Sequence, residues 1–338
     1  MSASSFARLT AAVSVLALCV ILLGAYVRLS DAGLGCPDWP GCYGHLVVPS
    51  ADHAVAAANE AHPTRPVDSG KAWKEMVHRY LAGGLGLAIL AVAAVAWRNR
   101  RRGRPVVLPI LLVVLVVFQA LLGMWTVTLL VNPAIVTSHL AGGMATLALL
   151  WWVSVREGGW WHGTADQRFA ALRPWAIGGV LLVIVQILLG GWTSSNYAAL
   201  ACVDFPTCHG GQWWPEADFA EGFTLWRPLG VDYEFGVLDS PARTATHLAH
   251  RLGALVVTLY VVALGVAVLR RAGTEAQRVI GLGLLVVLTL QIMLGITNVV
   301  AQLPLPVAVA HNGGAALLLL ALLSLVHVLT PYRGGEAV

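Results

Sequence analysis

Charge is what this chain has little of. Lys, Arg, Asp and Glu make up 11% of its 338 residues, against 58% hydrophobic ones, and the mean hydropathy is +0.75. Soluble domains carry about a quarter of their residues as charges, so a soluble globular protein is excluded and a bilayer becomes the expected solvent. The formal charge of +4 is then no nucleic-acid footprint; what matters is which loops hold the arginines. Cysteine is sparse as well, with five residues. Polar residues at span midpoints are few, which counts against a transporter built from parallel repeats.

A spanning helix needs roughly 20 apolar residues, and eight such stretches occur, at about 7–28, 73–97, 106–128, 136–156, 174–195, 243–269, 278–300 and 307–330. The loop 98–104 holds five arginines, and Arg270, Arg271 and Arg278 mark another basic loop. Segment 196–242 holds seven acids against Arg227 alone. By the positive-inside rule both termini face the cytoplasm, and the long loops, about 29–72 and 196–242, lie outside.

The chain repeats itself. Ile21–Val27 (ILLGAYV) recurs as Ile187–Thr193 (ILLGGWT) at an offset of 166, and Cys36–Cys42 (CPDWPGC) recurs at that offset as Cys202–Cys208 (CVDFPTC). Past the loops the offset becomes 172: His78-Arg79 maps onto His250-Arg251, Gln119 and Gly123 onto Gln291 and Gly295, His139 and Gly142 onto His311 and Gly314. One register shift, placed in a loop, is what a duplicated unit shows. The expected fold is an all-α integral membrane protein of eight transmembrane helices. They form two tandem four-helix bundles, 1–156 and 174–330, joined by a cytoplasmic linker 157–173 and related by a pseudo-twofold axis along the membrane normal. Residues 1–28 have the look of a secretory signal with Arg8 ahead of an apolar stretch. Since span 1 is the counterpart of mid-chain span 5, it is expected to be retained.

Of eleven histidines, His78, His139, His247, His250 and His311 fall a few residues inside the outer ends of spans, on the order of 6–10 Å below the boundary. Intramembrane imidazoles are costly and mark function by default; the bland alternative is a polar bond across helices. Four of the five stand in repeat register. Small residues three and four positions on, Gly142 and Gly143, Gly253 and Ala254, Gly314 and Ala315, share the ligands' faces, leaving either clearance for a flat macrocycle or tight helix packing. His78 is followed by Leu81 and Ala82. Heme iron accepts two axial imidazoles, whereas structural zinc takes four ligands, so the pairs His78/His139 and His250/His311 suit heme. His45, His53, His62, His209, His162 and His327 carry no usable pattern.

The halves differ at one position. Glu75, three residues before His78, corresponds to His247. A carboxylate there suits acid–base or charge-stabilising work, or pairs with Lys74 or Arg79; His247 suits a spare ligand or a donor beside His250. Arg79 and Arg251 suit either heme propionates or lipid headgroups. Cys36/Cys42 and Cys202/Cys208 read as short-range disulfides outside the cytoplasm, serving as loop staples or as a redox-active pair. Cys19 reads as an inert core residue.

Taken together, Glu75-Met-Val-His78-Arg79, Ser138-His139-Leu-Ala-Gly142-Gly143, His247-Leu-Ala-His250-Arg251, His311-Asn-Gly-Gly314 and the loop cysteine pairs resemble the heme A synthase family over essentially the whole chain. The resemblance implies a plasma-membrane enzyme that oxidises the C8 methyl of heme O to a formyl group through an alcohol, for cytochrome c oxidase. It implies substrate heme at His78 and His139 with Glu75 near the reacting group, and a heme b cofactor held by His250 and His311. It implies an outer-face location for both hemes, loop cysteines linked to activity at Cys36 and Cys42, and a heme O synthase as delivering partner. No nucleic acid is expected, the lipid bilayer is, and a homo-oligomer stays open. Competing readings are a diheme b-type cytochrome for electron transfer, which needs two equivalent halves, and a membrane thiol:quinone oxidoreductase, which leaves the paired histidines idle.

Overall fold

The computed structural model describes residues 2–102, 105–159 and 167–330. Its helices, in chain order, are α1 (Ala3–Leu29), α2 (Asp52–Ala61), α3 (Ser69–Arg98), α4 (Val107–Thr128), α5 (Pro133–Gly158), α6 (Gln167–Ala170), α7 (Arg173–Ser195), α8 (Phe219–Gly222), α9 (Ser240–Arg271), α10 (Glu275–Val300) and α11 (Leu305–Val328). Among the described residues eight of these are long and apolar enough to cross a membrane, at the eight expected places. Arg104 of the basic loop and residues 160–166 of the linker, His162 included, lie outside the described residues.

Local chemistry sets the ends of the helices. Helix termini leave backbone N–H groups unpaired, and side chains take them up: Asp68 accepts from Lys71 N at α3, Asn132 from Ala134 N ahead of Pro133 at α5, and Asp239 from Ala242 N ahead of Pro241 at α9. Thr274 and Gln277 form a reciprocal capping box at α10. The turns joining α4 to α5 and α10 to α11 each run through two successive residues in the left-handed region, Leu130–Val131 and Gln302–Leu303. Each is closed by an equivalent hydrogen bond, Val131 N–H to Thr126 O and Leu303 N–H to Asn298 O. Two strained non-glycine residues in a row, repeated at an offset of 172, show the same turn built twice.

In the packing, α1, α3, α4 and α5 each touch the next and α5 closes back on α1; α7, α9, α10 and α11 do the same. Contacts between the two sets run through α1–α11, α5–α7 and α5–α11. Their core is apolar and continuous, with Phe6, Leu147, Leu150, Leu322 and Leu325 fully buried. One polar stitch joins the two sets across it, Trp151 Nε1 to Ser324 Oγ (2.9 Å), and another ties α5 to α1 within the first, Ser154 Oγ to the Ala7 carbonyl (2.9 Å). The outward faces carry Leu87, Val114, Leu259 and Val286, all well exposed. An apolar exterior of this extent needs lipid to cover it.

At the loop end the two sets meet through residues related by the 166 offset. Arg28 donates to the carbonyl of its own counterpart Ser194 (2.8 Å) and lies 4.1 Å over the Tyr197 ring, while the Tyr197 hydroxyl lies 3.5 Å from Asp31, its counterpart in turn. Burial pushes the Tyr197 phenol pKa up against the pull of that guanidinium. A position that touches its own repeat partner has to lie beside an axis relating the two.

Candidate functional site

The four paired histidines stand roughly two to three turns in from the N-terminal ends of α3, α5, α9 and α11. Each packs against a glycine of a neighbouring helix. A Cβ at Gly24 of α1 would sit 2.9 Å from His78 Cε1. The corresponding separations are 3.5 Å for Gly123 of α4 and His139, 3.0 Å for Gly190 of α7 and His250, and 3.1 Å for Gly295 of α10 and His311. Any larger residue at the tightest three would push a ring aside. The His250 and His311 rings face one another with centroids 6.5 Å apart and planes at 81°.

The glycines three residues after the ligands serve a purpose the sequence pattern does not reveal. Gly142, Gly253 and Gly314 are covered by the carboxamides of Gln119, Gln186 and Gln291. The clearance expected there for a macrocycle is occupied by protein, because a residue without Cβ lets a glutamine lie flat on the helix. These glutamines were legible as polar residues deep in apolar spans, each costly unless engaged, and Gln186 stands where the first half has Val20.

Glu75 and His247 occupy one slot. Glu75 is 4% exposed; its Oε2 accepts from the Cys36 amide (2.9 Å) and its Oε1 from Arg79 (2.6 Å). His247 is also 4% exposed, with Nδ1 facing the Cys202 amide at 3.2 Å and Nε2 facing Arg251 Nε at 3.1 Å. A carboxylate accepts both bonds at once, whereas a neutral imidazole has one acceptor nitrogen. Glu75 pairs with Arg79, as one reading of the sequence expected, but in the protein interior rather than at a wet boundary.

Arg79 and Arg251 draw the loops down. Arg79 donates to the carbonyls of Asp38 (2.9 Å), Pro40 (3.3 Å) and Gly41; Arg251 donates to Thr207 (2.8 Å), Cys202 (3.0 Å) and Asp204 (2.9 Å). Cys36–Cys42 and Cys202–Cys208 are disulfides, buried beneath those loops. Cys19, expected in the core, is instead free and exposed on the outer face of α1; an apolar thiol side chain on a spanning helix can face lipid as readily as the core.

All four paired histidines, with Glu75, His247, both arginines and the three glutamines, line one continuous cavity of about 1730 Å³. Single small-ligand pockets run to about 300–1,000 Å³, so the space exceeds one such site. Its wall is otherwise mainly Leu, Val, Ile, Ala and Gly. The Nδ1 atoms of His78, His139 and His311 are buried without a hydrogen-bond partner, which leaves each of these rings with an uncompensated polar atom. Among the described residues no group of three or more His, Cys, Asp or Glu gathers to hold a metal ion. Paired imidazoles in a large apolar cavity fit heme iron better than zinc.

Comparison with known proteins agrees. The model of a family described as cytochrome oxidase assembly protein matches residues 7–323. The heme A synthase of Shewanella oneidensis is 45% identical over 315 residues, 93% of this chain and 94% of that one. That of Caulobacter sp. is 28% identical over 91% of each chain, and that of Halalkalibacterium halodurans 30% identical over 58% of this chain and 61% of its own. Eight membrane-crossing helices, two histidine pairs in one cavity and a match along nearly the whole length place the chain in the heme A synthase family of cytochrome oxidase assembly proteins.

Proposed function

We propose that this protein oxidises the C8 methyl of heme O to a formyl group, by successive oxidations through an alcohol, and so supplies heme A for cytochrome c oxidase. One observation carries the reading: two histidine pairs share a cavity, and the slot next to one pair holds a carboxylate while the slot next to the other holds an imidazole. A diheme electron-transfer cytochrome calls for two equivalent halves, and this difference disfavours it.

His78 and His139 take the substrate heme in the half 1–156; His250 and His311 hold a resident heme b in the half 174–330, across the linker 157–173. When bound, the heme b supplies the redox chemistry. The protein supplies place and field. Gly24, Gly123, Gly190 and Gly295 set how far each ring advances into the cavity. Glu75 keeps a carboxylate on the wall of the substrate site, where charge in a water-poor cavity acts strongly. Arg79 and Arg251, also on the wall, hold the disulfide loops over it and exclude water. His247 holds the second loop and keeps a carboxylate away from the cofactor. The arginine distribution supports cytoplasmic termini in the plasma membrane, with both heme sites near the outer face, and the substrate calls for a heme O synthase upstream.

The protein purified in detergent is expected to show a b-type heme spectrum, which His250→Ala or His311→Ala removes while the chain stays folded. A folded, heme-free wild-type preparation from heme-replete cells overturns the reading.

A further inference from the structure

We infer that Gln186 is the positioning residue that makes the second-half site retain its heme, and that its absence from the first half leaves that site exchangeable; this rests on the reading that His250 ligates heme b. The repeat supplies the control. Three of the four candidate ligands are followed at the third residue by a glycine with a glutamine laid on it: Gln119 on Gly142, Gln186 on Gly253 and Gln291 on Gly314. The fourth place in the pattern, by the offsets of 166 and 172, holds Val20 and Leu81. Both members of the pair have changed together, so the first half has no carboxamide at the position Gln186 takes in the second.

The contact is specific. Gln186 Nε2 lies 3.0 Å from His250 Nδ1 and donates to the His250 backbone carbonyl, also at 3.0 Å, so one carboxamide grips both the ring and the helix that bears it. Among the described residues the other three rings have no partner at Nδ1. Gln291 reaches His311 only at Nε2, at 3.4 Å. With Nδ1 held, His250 presents Nε2 to the cavity. A ring that ligates through Nε2 carries its proton on Nδ1 and needs an acceptor there. The buried Oε1 of Gln186, which has no partner, becomes that acceptor when the carboxamide turns over, exchanging the bond to the His250 backbone carbonyl for a bond to the ring. A hydrogen bond of this kind fixes ring orientation and raises ligand basicity. The consequence matches the division of labour: the cofactor must stay through every turnover, while the product must leave His78 and His139.

The test uses the full-length, heme-loaded protein in detergent, with heme transfer to excess apomyoglobin and the midpoint potential as readouts. Gln186→Met keeps length and removes the hydrogen bond to the ring. It is expected to release heme about tenfold faster or more, the usual size of an outer-sphere loss, and to move the midpoint to more positive potential, which a mere packing defect would not do. Gly253→Leu displaces the carboxamide without altering it and is expected to give the same two changes, which keeps the inference testable if the first variant fails to fold. Wild-type release and midpoint in folded, heme-loaded Q186M or G253L overturn the inference. A full heme spectrum in H250A overturns instead the ligand assignment beneath it.

Discussion

Arg79 and Arg251 each gather three loop carbonyls around a guanidinium, and each still needs a partner on its own helix one turn back. Glu75 meets that need with charge and His247 without it. Removing Glu75 leaves Arg79 buried and uncompensated: the side chains of the pair are 5% and 12% exposed, and breaking such a pair costs about 3–5 kcal/mol. Glu75→Ala is therefore expected to lower thermal stability in detergent by that order. Glu75→His copies the second half, and a stable fold with bound heme is expected to survive. If E75H folds, binds heme and no longer forms heme A, the carboxylate is chemical; wild-type turnover in E75H would make Glu75 a loop fastener only. At Gly24, where a Cβ falls 2.9 Å from His78 Cε1, Gly24→Val is expected to abolish turnover while the b-type spectrum held by His250 and His311 persists. Wild-type turnover in that variant would contradict the placement of substrate at His78.

At the scale of elements, the two long loops are held by fastenings of different strength. Each disulfide closes a short loop, with a sequence separation of 6, and loop-closure entropy makes a bridge of that length worth about 2 kcal/mol. Cys202→Ser/Cys208→Ser is expected to loosen the second loop to proteolysis while Arg251 still tethers it. By contrast Arg65, which reaches from the first loop to Asp232 (2.7 Å) and Glu234 (3.6 Å) of the second, pairs with the half-exposed Asp232 carboxylate. Exposed pairs are worth about 0–1 kcal/mol, so Arg65→Ala should leave the melting temperature almost unchanged; a large drop would show the loops to be interlocked more tightly than their contacts indicate. Spans were readable in the sequence because a run of twenty apolar residues has one physical meaning, and α3, for instance, runs Ser69–Arg98 where 73–97 was expected. Helix α2 was not, since Asp52–Ala61 is short and gathers little apolar surface to announce itself.

Across the whole molecule, duplication made the histidine pairs readable: His, Gln and Cys kept in step at fixed offsets are visible without coordinates. What departs from the repeat was harder to see. The exchange of Glu75 for His247 showed because both are ionisable, with Arg79 and Arg251 one turn along the same helices, but their other partners, the Cys36 and Cys202 amides, belong to loops whose folding no spacing reveals. Gln186 went unread because its counterpart is Val20, and a position that breaks the pattern reads as drift until the ring beside it is seen. Symmetry of position with asymmetry of chemistry is the central claim, and it assigns the protein a reaction. Co-expression with a heme O synthase, followed by chromatography of the extracted hemes, tests it most directly. Heme A or its hydroxylated intermediate is the predicted result; heme O alone, from cells in which the protein is folded and heme-loaded, would contradict the account and leave an electron-transfer cytochrome in its place.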